Sequence, residues 1–215
     1  MRKASYVIAL FAVLFTLTLN VLSARSTDWL TVKSEVYSSK FIIKYGLFTR
    51  CERSHIVIPS PGDDSRFEWT DYKCRSFPTR VSDGCDKDNQ EFCIVWTTAG
   101  YLTELSAGLA VVASLSIIFG VSTHSRRRRI WRAVAGFVGL HTALQIATFG
   151  LVTDAYNRDS YPAFQQARPG VGYILNLVSW VIGILITFGV AITGLAASRG
   201  HRWAAGNRAY QAIQG

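Results

Sequence analysis

Charge is scarce in this sequence, and the places where it is missing decide most of the reading. Charged residues make up 17% of the 215 positions, while 49% are hydrophobic; soluble proteins carry roughly 25% charge. Residues 6–22, 133–152 and 171–197 hold no charged side chain, and 101–121 hold one, Glu104. Each run approaches the roughly 20 residues that take a helix across about 30 Å of hydrocarbon. Four such runs leave too little polar sequence to cover them as core helices of a soluble protein. The expected spans are 6–23, 100–122, 131–153 and 171–197 of one membrane domain, 1–215. Met1-Arg2-Lys3 before an apolar run also has the form of a signal peptide. Leu22-Ser23-Ala24 suits cleavage poorly and the run is long for a signal, so a retained helix is expected.

Catalytic signatures are missing as well. There is no Gly-x-Ser-x-Gly, His-Glu-x-x-His or phosphate-binding loop. His55, His124, His141 and His201 lie in a long loop, at a span edge, in mid-span and in the tail, so all four cannot converge. No catalytic residue, cofactor or metal site is expected, and the chain is not read as an enzyme. The long loop carries no Asn-x-Ser/Thr, which excludes N-glycosylation there.

What charge there is has an ordered distribution. The net charge is +9, yet residues 25–97 carry eleven Lys/Arg against eleven Asp/Glu, and 154–170 carry two of each. The basic excess falls on Arg2 and Lys3, on Arg126, Arg127, Arg128, Arg129 and Arg132, and on Arg199, Arg202 and Arg208. All of these lie on one side of a four-span chain. The positive-inside rule makes that side cytoplasmic, with both termini. The outer loops are then 24–99 and 154–170, the inner loop 123–130 and the inner tail 198–215. The run Arg126–Arg129 is read as a topology anchor rather than a nucleic-acid or anionic-lipid patch. Trp131 and Trp203 inside, with Trp96, Tyr101 and Tyr173 outside, are expected in interfacial aromatic belts.

The first outer loop is too long for a connector. Alternation and β-branched content predict short strands over 29–37, 40–45 and 55–58, with a turn at Pro59–Asp64. All four cysteines, Cys51, Cys74, Cys85 and Cys93, lie in this loop. The Cys-x₂₋₄-Cys spacing of structural zinc sites is absent. An even count confined to an oxidising side points to disulfides. Three pairings are possible; Cys51–Cys74 with Cys85–Cys93 needs no crossing and is preferred. The larger closure contributes about 3 kcal/mol in the chain-entropy picture. The fold class is therefore an all-α membrane protein: a four-helix transmembrane bundle with a small disulfide-linked antiparallel sheet in the first extracellular loop.

Four spans, a large first outer loop, and within it Trp29, then Gly46-Leu47-Phe48, then Cys51 and Cys74, resemble the claudin superfamily. That group includes the claudins and the peripheral myelin protein relatives, whose pattern is Trp, Gly-Leu-Trp, Cys, Cys. Phe48 replaces the second Trp, the gap to Cys74 is longer than usual, Cys85 and Cys93 are extra, and the tail lacks the terminal Tyr-Val of many claudins. These departures are closer in character to the fungal claudin-like proteins, including the PalI-type sensors. The resemblance implies that Trp29 and Gly46-Leu47-Phe48 hold the sheet at the membrane and that Cys51 locks two strands. Gly46 would serve a close backbone approach or a bend.

Within the spans, small residues mark expected packing faces: Gly139, Ala143 and Ala147; Ser106 and Ala110; Gly183 and Gly189. Polar residues there default to a functional hypothesis. Glu104, Gln145, Thr148 and Asn176 lie at similar depth and predict a hydrogen-bonded cluster, read as interhelical glue rather than an ion or proton path; His141 shares a face with Gln145. Three functions fit. The first is a non-catalytic plasma-membrane organiser or sensor, working by lateral association and its extracellular loop. The second is a claudin-type junction or paracellular barrier protein. The third is an auxiliary subunit of a channel or membrane enzyme. The expected partners are membrane lipids, a second copy or other membrane proteins, and cell wall or matrix, with no nucleic acid.

Overall fold

Uninterrupted apolar sequence free of proline is what lets the first helix run. In the computed structural model, which describes residues 3–36, 39–58, 66–86, 88–122, 124–158 and 161–205, α1 spans Lys3–Arg25. Met1, Arg2, Tyr37, the turn at Pro59–Asp64 and the tail from residue 206, including Arg208, lie outside the described residues. Three further long helices follow: α2 (Gln90–Ser122), α3 (His124–Asn157) and α4 (Val171–Ser198). Each of the four is long and apolar enough to cross a membrane. A short α5 covers Arg202–Ala205.

Two boundaries differ from the apolar runs. Helix α2 starts at Gln90, about three turns before the expected span. Helix α3 starts at His124, so Arg126–Arg129 belong to a helix and not to a loop. Backbone hydrogen bonding within a helix is indifferent to where the apolar stretch stops.

The long loop forms β1 (Leu30–Val36), β2 (Ser39–Tyr45), β3 (Thr49–Ile58), β4 (Arg66–Trp69) and β5 (Lys73–Ser76). The segment between α3 and α4 adds a 3₁₀ turn, Pro162–Gln166, and β6 (Ala167–Pro169). The sheet is antiparallel, in the order β4-β3-β2-β1-β6, with β5 also on β3. Alternation divides its faces: Leu30, Val32, Tyr45 and Ala167 are buried on one side.

The chain divides into two compact units. The helical unit takes the described residues of Met1–Val21, Glu104–Ile146 and Val178–Gly215; the sheet unit takes Leu22–Thr103 and Ala147–Leu177. The helical unit centres on Tyr6, Val13, Ala110, Ile117, Val134, Val138 and Val190. Its surface is apolar, with Ile8 and Phe11 each 69% exposed. The sheet unit centres on Trp29, Leu47, Phe77, Phe92, Trp96, Tyr161 and Phe164.

Candidate functional site

The motif residues lie in the sheet unit, and glycine governs how closely they pack. Trp29 is fully buried and its Nε1–H donates to the Ser23 carbonyl at 2.7 Å. A Cβ on Gly172 would stand 2.6 Å from Trp29 Cδ1, so the start of α4 approaches the indole only without a side chain. A Cβ on Gly46 would stand 2.6 Å from the Ser26 carbonyl. The Gly46 carbonyl accepts from Trp96 Nε1 at 3.2 Å. Leu47 is buried in the same core, and Phe48 lies over Gly100 of α2, 2.8 Å from where a Cβ would be. The Gly46-Leu47-Phe48 step thus fastens the β2–β3 connection to the end of α1 and to α2. Trp96 is core, not interfacial, because the early start of α2 brings it under the sheet.

Two disulfides staple this unit. Cys51–Cys74 joins directly opposed residues of β3 and β5. Cys85–Cys93 ties the turn after β5 to the first turns of α2. Between them sits Asp83, whose side chain is fully buried. Its carboxylate accepts from Arg75 at 2.8 and 2.6 Å, from the Thr79 amide at 2.8 Å and from the Tyr161 hydroxyl at 3.2 Å. Burial pushes this carboxyl up, but the Arg75 and Thr79 hydrogen bonds outweigh it and hold the group down at about 2. Burial pushes the Tyr45 phenol up to about 12. Tyr45, Phe77, Phe92, Trp96, Tyr161 and Phe164 form the aromatic cluster beneath, with Phe92 stacked on Tyr161 at 4.7 Å. The Asp83 network was not anticipated; Ser82-Asp83-Gly84 signals only a turn.

The polar residues of the spans separate. Glu104 is exposed and makes no hydrogen bond or ion pair among the described residues, so it does not join the expected cluster. Helical periodicity explains this: Thr103 and Ser106, on the inward face of α2, are fully buried. In the helical unit, His141 Nδ1 meets the Ser106 carbonyl at 2.8 Å and Gln145 Nε2 lies 3.3 Å from His141 Nε2. Asn20 donates to the Ser106 hydroxyl, and Ser179 donates to the Thr16 carbonyl at 3.1 Å. In the sheet unit, the Thr148 hydroxyl reaches the Ala99 carbonyl and accepts from Thr103, each at 3.3 Å, and Asn176 is fully buried. Asn20 carries the same sequence signal as Asn176, an amide within an apolar run, and it too is fully buried.

The small-residue faces also divide. Ser106 and Ala110 are fully buried; Gly139 lies 3.4 Å, measured from a built Cβ, from Thr187; and Gly183 takes Thr142 against its backbone. Ala143, Ala147 and Gly189 are exposed. The buried stripe of α3 is instead Val138, His141, Thr142, Gln145 and Thr148. Of the expected belt residues, Trp131 is buried against Gly194, Tyr173 hydrogen-bonds Thr153 at 2.9 Å, and Tyr101 and Trp203 are exposed.

No group of three or more His, Cys, Asp or Glu side chains is placed to hold a metal among the described residues. The site has the character of a rigid platform: a cross-linked sheet fixed on helix ends, with one face buried and the other open. No protein-family model matches the chain, and no curated protein matches it.

Proposed function

We propose that this protein is a non-catalytic integral membrane protein of claudin-like character that organises or senses at the plasma membrane. The observation that carries the reading is the construction of the sheet unit. Two disulfides, the Asp83 network and the Trp29 anchor hold a small sheet rigidly on the ends of apolar helices. A sheet cross-linked in this way has its place on an oxidising side, and the Arg-rich segments belong to the opposite, cytoplasmic side with both termini. On this reading the sheet meets wall, matrix or a neighbouring membrane protein, while the exposed apolar helix surfaces face lipid and lateral partners.

Imaging the protein with a C-terminal fluorescent tag at native expression tests the reading. Stable patches on the free cell surface, with the tag shielded from external protease, are the expected result. Confinement to cell–cell contacts would replace it with a junction role. Retention in an internal membrane would remove the plasma-membrane role.

A further inference from the structure

The open face of the sheet is not neutral, although the loop as a whole is. Residues that alternate onto that face include Thr31 and Lys33 of β1, Lys44 of β2 and Arg53 of β3. Arg168 of β6 sits opposite Thr31, which also pairs with Lys44. Lys33, Lys44, Arg53 and Arg168 line one open groove of about 910 Å³. Asp28 is the single carboxylate among the lining residues.

That carboxylate is already engaged. It pairs with Lys44 at 3.2 Å, accepts from the Thr31 hydroxyl, and lies against Gly170 just before α4. Lys33, Arg53 and Arg168 have no carboxylate partner among the described residues. Arg53 is held in place without one: its guanidinium lies 4.7 Å from the ring centres of both Trp69 and Tyr72. Three cations gathered in one groove repel each other unless an anion joins them. A guanidinium pinned between two aromatic rings is oriented in advance to receive that anion.

The wall of the groove shows how the anion is presented. Val171 and Ile174, the first turn of α4, line it and are 58% and 52% exposed. Helix α4 is apolar enough to cross a membrane from Val171 onward. The groove therefore joins cations to the beginning of a lipid-facing helix. A soluble anion or an acidic peptide would make no use of that apolar wall.

We infer that this groove is a binding site for the phosphate headgroup of an anionic phospholipid from the leaflet on the sheet's side. Lys33, Arg53 and Arg168 neutralise the phosphodiester, and the acyl chains leave the groove along Val171 and Ile174. The inference rests on the reading of α4 as a membrane span and not on the proposed organiser role.

The test is native mass spectrometry of the full-length protein in detergent, titrated with phosphatidylglycerol, phosphatidylcholine or inorganic phosphate. Phosphatidylglycerol is expected to bind in preference to phosphatidylcholine. The double variant Lys33→Gln/Arg168→Gln should lose about thirtyfold of that affinity. Arg158→Gln, which changes an exposed arginine paired with Asp154, should bind like the parent. Retained disulfides on non-reducing gels and an unchanged melting temperature certify the fold of each variant. If the double variant does not fold, Ile174→Asn, which removes the apolar wall without adding charge, takes its place and should weaken lipid binding but not the binding of glycerol phosphate. Equal binding of the two lipids, or undiminished binding by the variants, overturns the site. Inorganic phosphate bound as tightly as the lipid, or an acidic polysaccharide that displaces the lipid and is lost in the same variants, overturns the lipid assignment. A protein found in an internal membrane that still selects phosphatidylglycerol would end the plasma-membrane reading and leave this one standing.

Discussion

The helical unit and the sheet unit solve the same problem with different forces. In the helical unit the exterior is apolar, and beside its apolar centre the unit buries a set of polar side chains: Thr16, Asn20, Ser106, His141, Gln145 and Ser179 are all at or near complete burial. Lipid tails are as apolar as leucine, so no hydrophobic drive brings such helices together. Close approach and hydrogen bonds remain, as where Thr142 packs on the bare backbone of Gly183. In the sheet unit the order is reversed. Large aromatic side chains are inside, charges other than Asp83 lie mostly outside, and burial from water does much of the work. A small sheet has little core of its own, and the described residues of this unit also carry both disulfides and the Asp83 network. Each unit is held by what its solvent leaves available.

Trp29→Ala should break the contrast most severely. Truncating a fully buried tryptophan costs about 3–5 kcal/mol, and here it also removes the indole hydrogen bond to the Ser23 carbonyl, leaving that oxygen only the Ser26 amide. Loss of the near-ultraviolet circular dichroism signal at a lower temperature, with far-ultraviolet helix signal retained, would show that the sheet unit fails first. Simultaneous loss of both signals would show that the units are not energetically separable.

Removing the larger staple in Cys51→Ser/Cys74→Ser should cost about 3 kcal/mol. Thermal unfolding in detergent reads this directly. A midpoint equal to that of the parent would mean that the aromatic core alone holds the sheet.

Asp83→Asn should cost about 2 kcal/mol at neutral pH. The folded-state value of about 2 lies below the ordinary 3.8. The carboxylate's contribution is therefore complete above about pH 4 and is lost as pH falls through 2. The parent should lose stability across that window, and the variant should show a flatter profile. Equal slopes would assign the acid sensitivity to other carboxylates.

In the helical unit the effects are smaller and depend on the face. Gly183→Leu drives a side chain into Thr142 and should cost about 1–3 kcal/mol. Ala143→Leu, on the exposed face, should stay within about 0.5 kcal/mol. A large effect of Ala143→Leu in native membranes but not in detergent would identify that face as a lateral contact with another protein.

Much of this contrast was legible beforehand. Runs without charge marked the four helices, because water-free solvent requires them whatever they pack against. Period-two alternation marked β1 and β2 for the same kind of local reason. Strand β6 was not legible: Ala167–Pro169 is only three residues long and becomes a strand by pairing with β1. Trp96 was read as interfacial because sequence shows where an apolar run begins and not where its helix begins. Ala143 and Ala147 repeat with Gly139 every four residues, yet helical twist turns the buried stripe of α3 onto His141, Gln145 and Thr148.

The sequence by itself determined the class of protein: four apolar helices, a strand-rich loop that holds all the cysteines, and the segregation of its basic residues. These follow from composition and period, which act through solvent and need no knowledge of neighbours. Tertiary structure alone decided which side chains meet. It set Asp83 between Arg75 and Tyr161, turned Glu104 away from the buried amides and hydroxyls, and gathered Lys33, Arg53 and Arg168 from three strands of two neutral loops into one groove. Strand register and helix rotation bring together residues far apart in the chain, and neither is written in any local window of sequence.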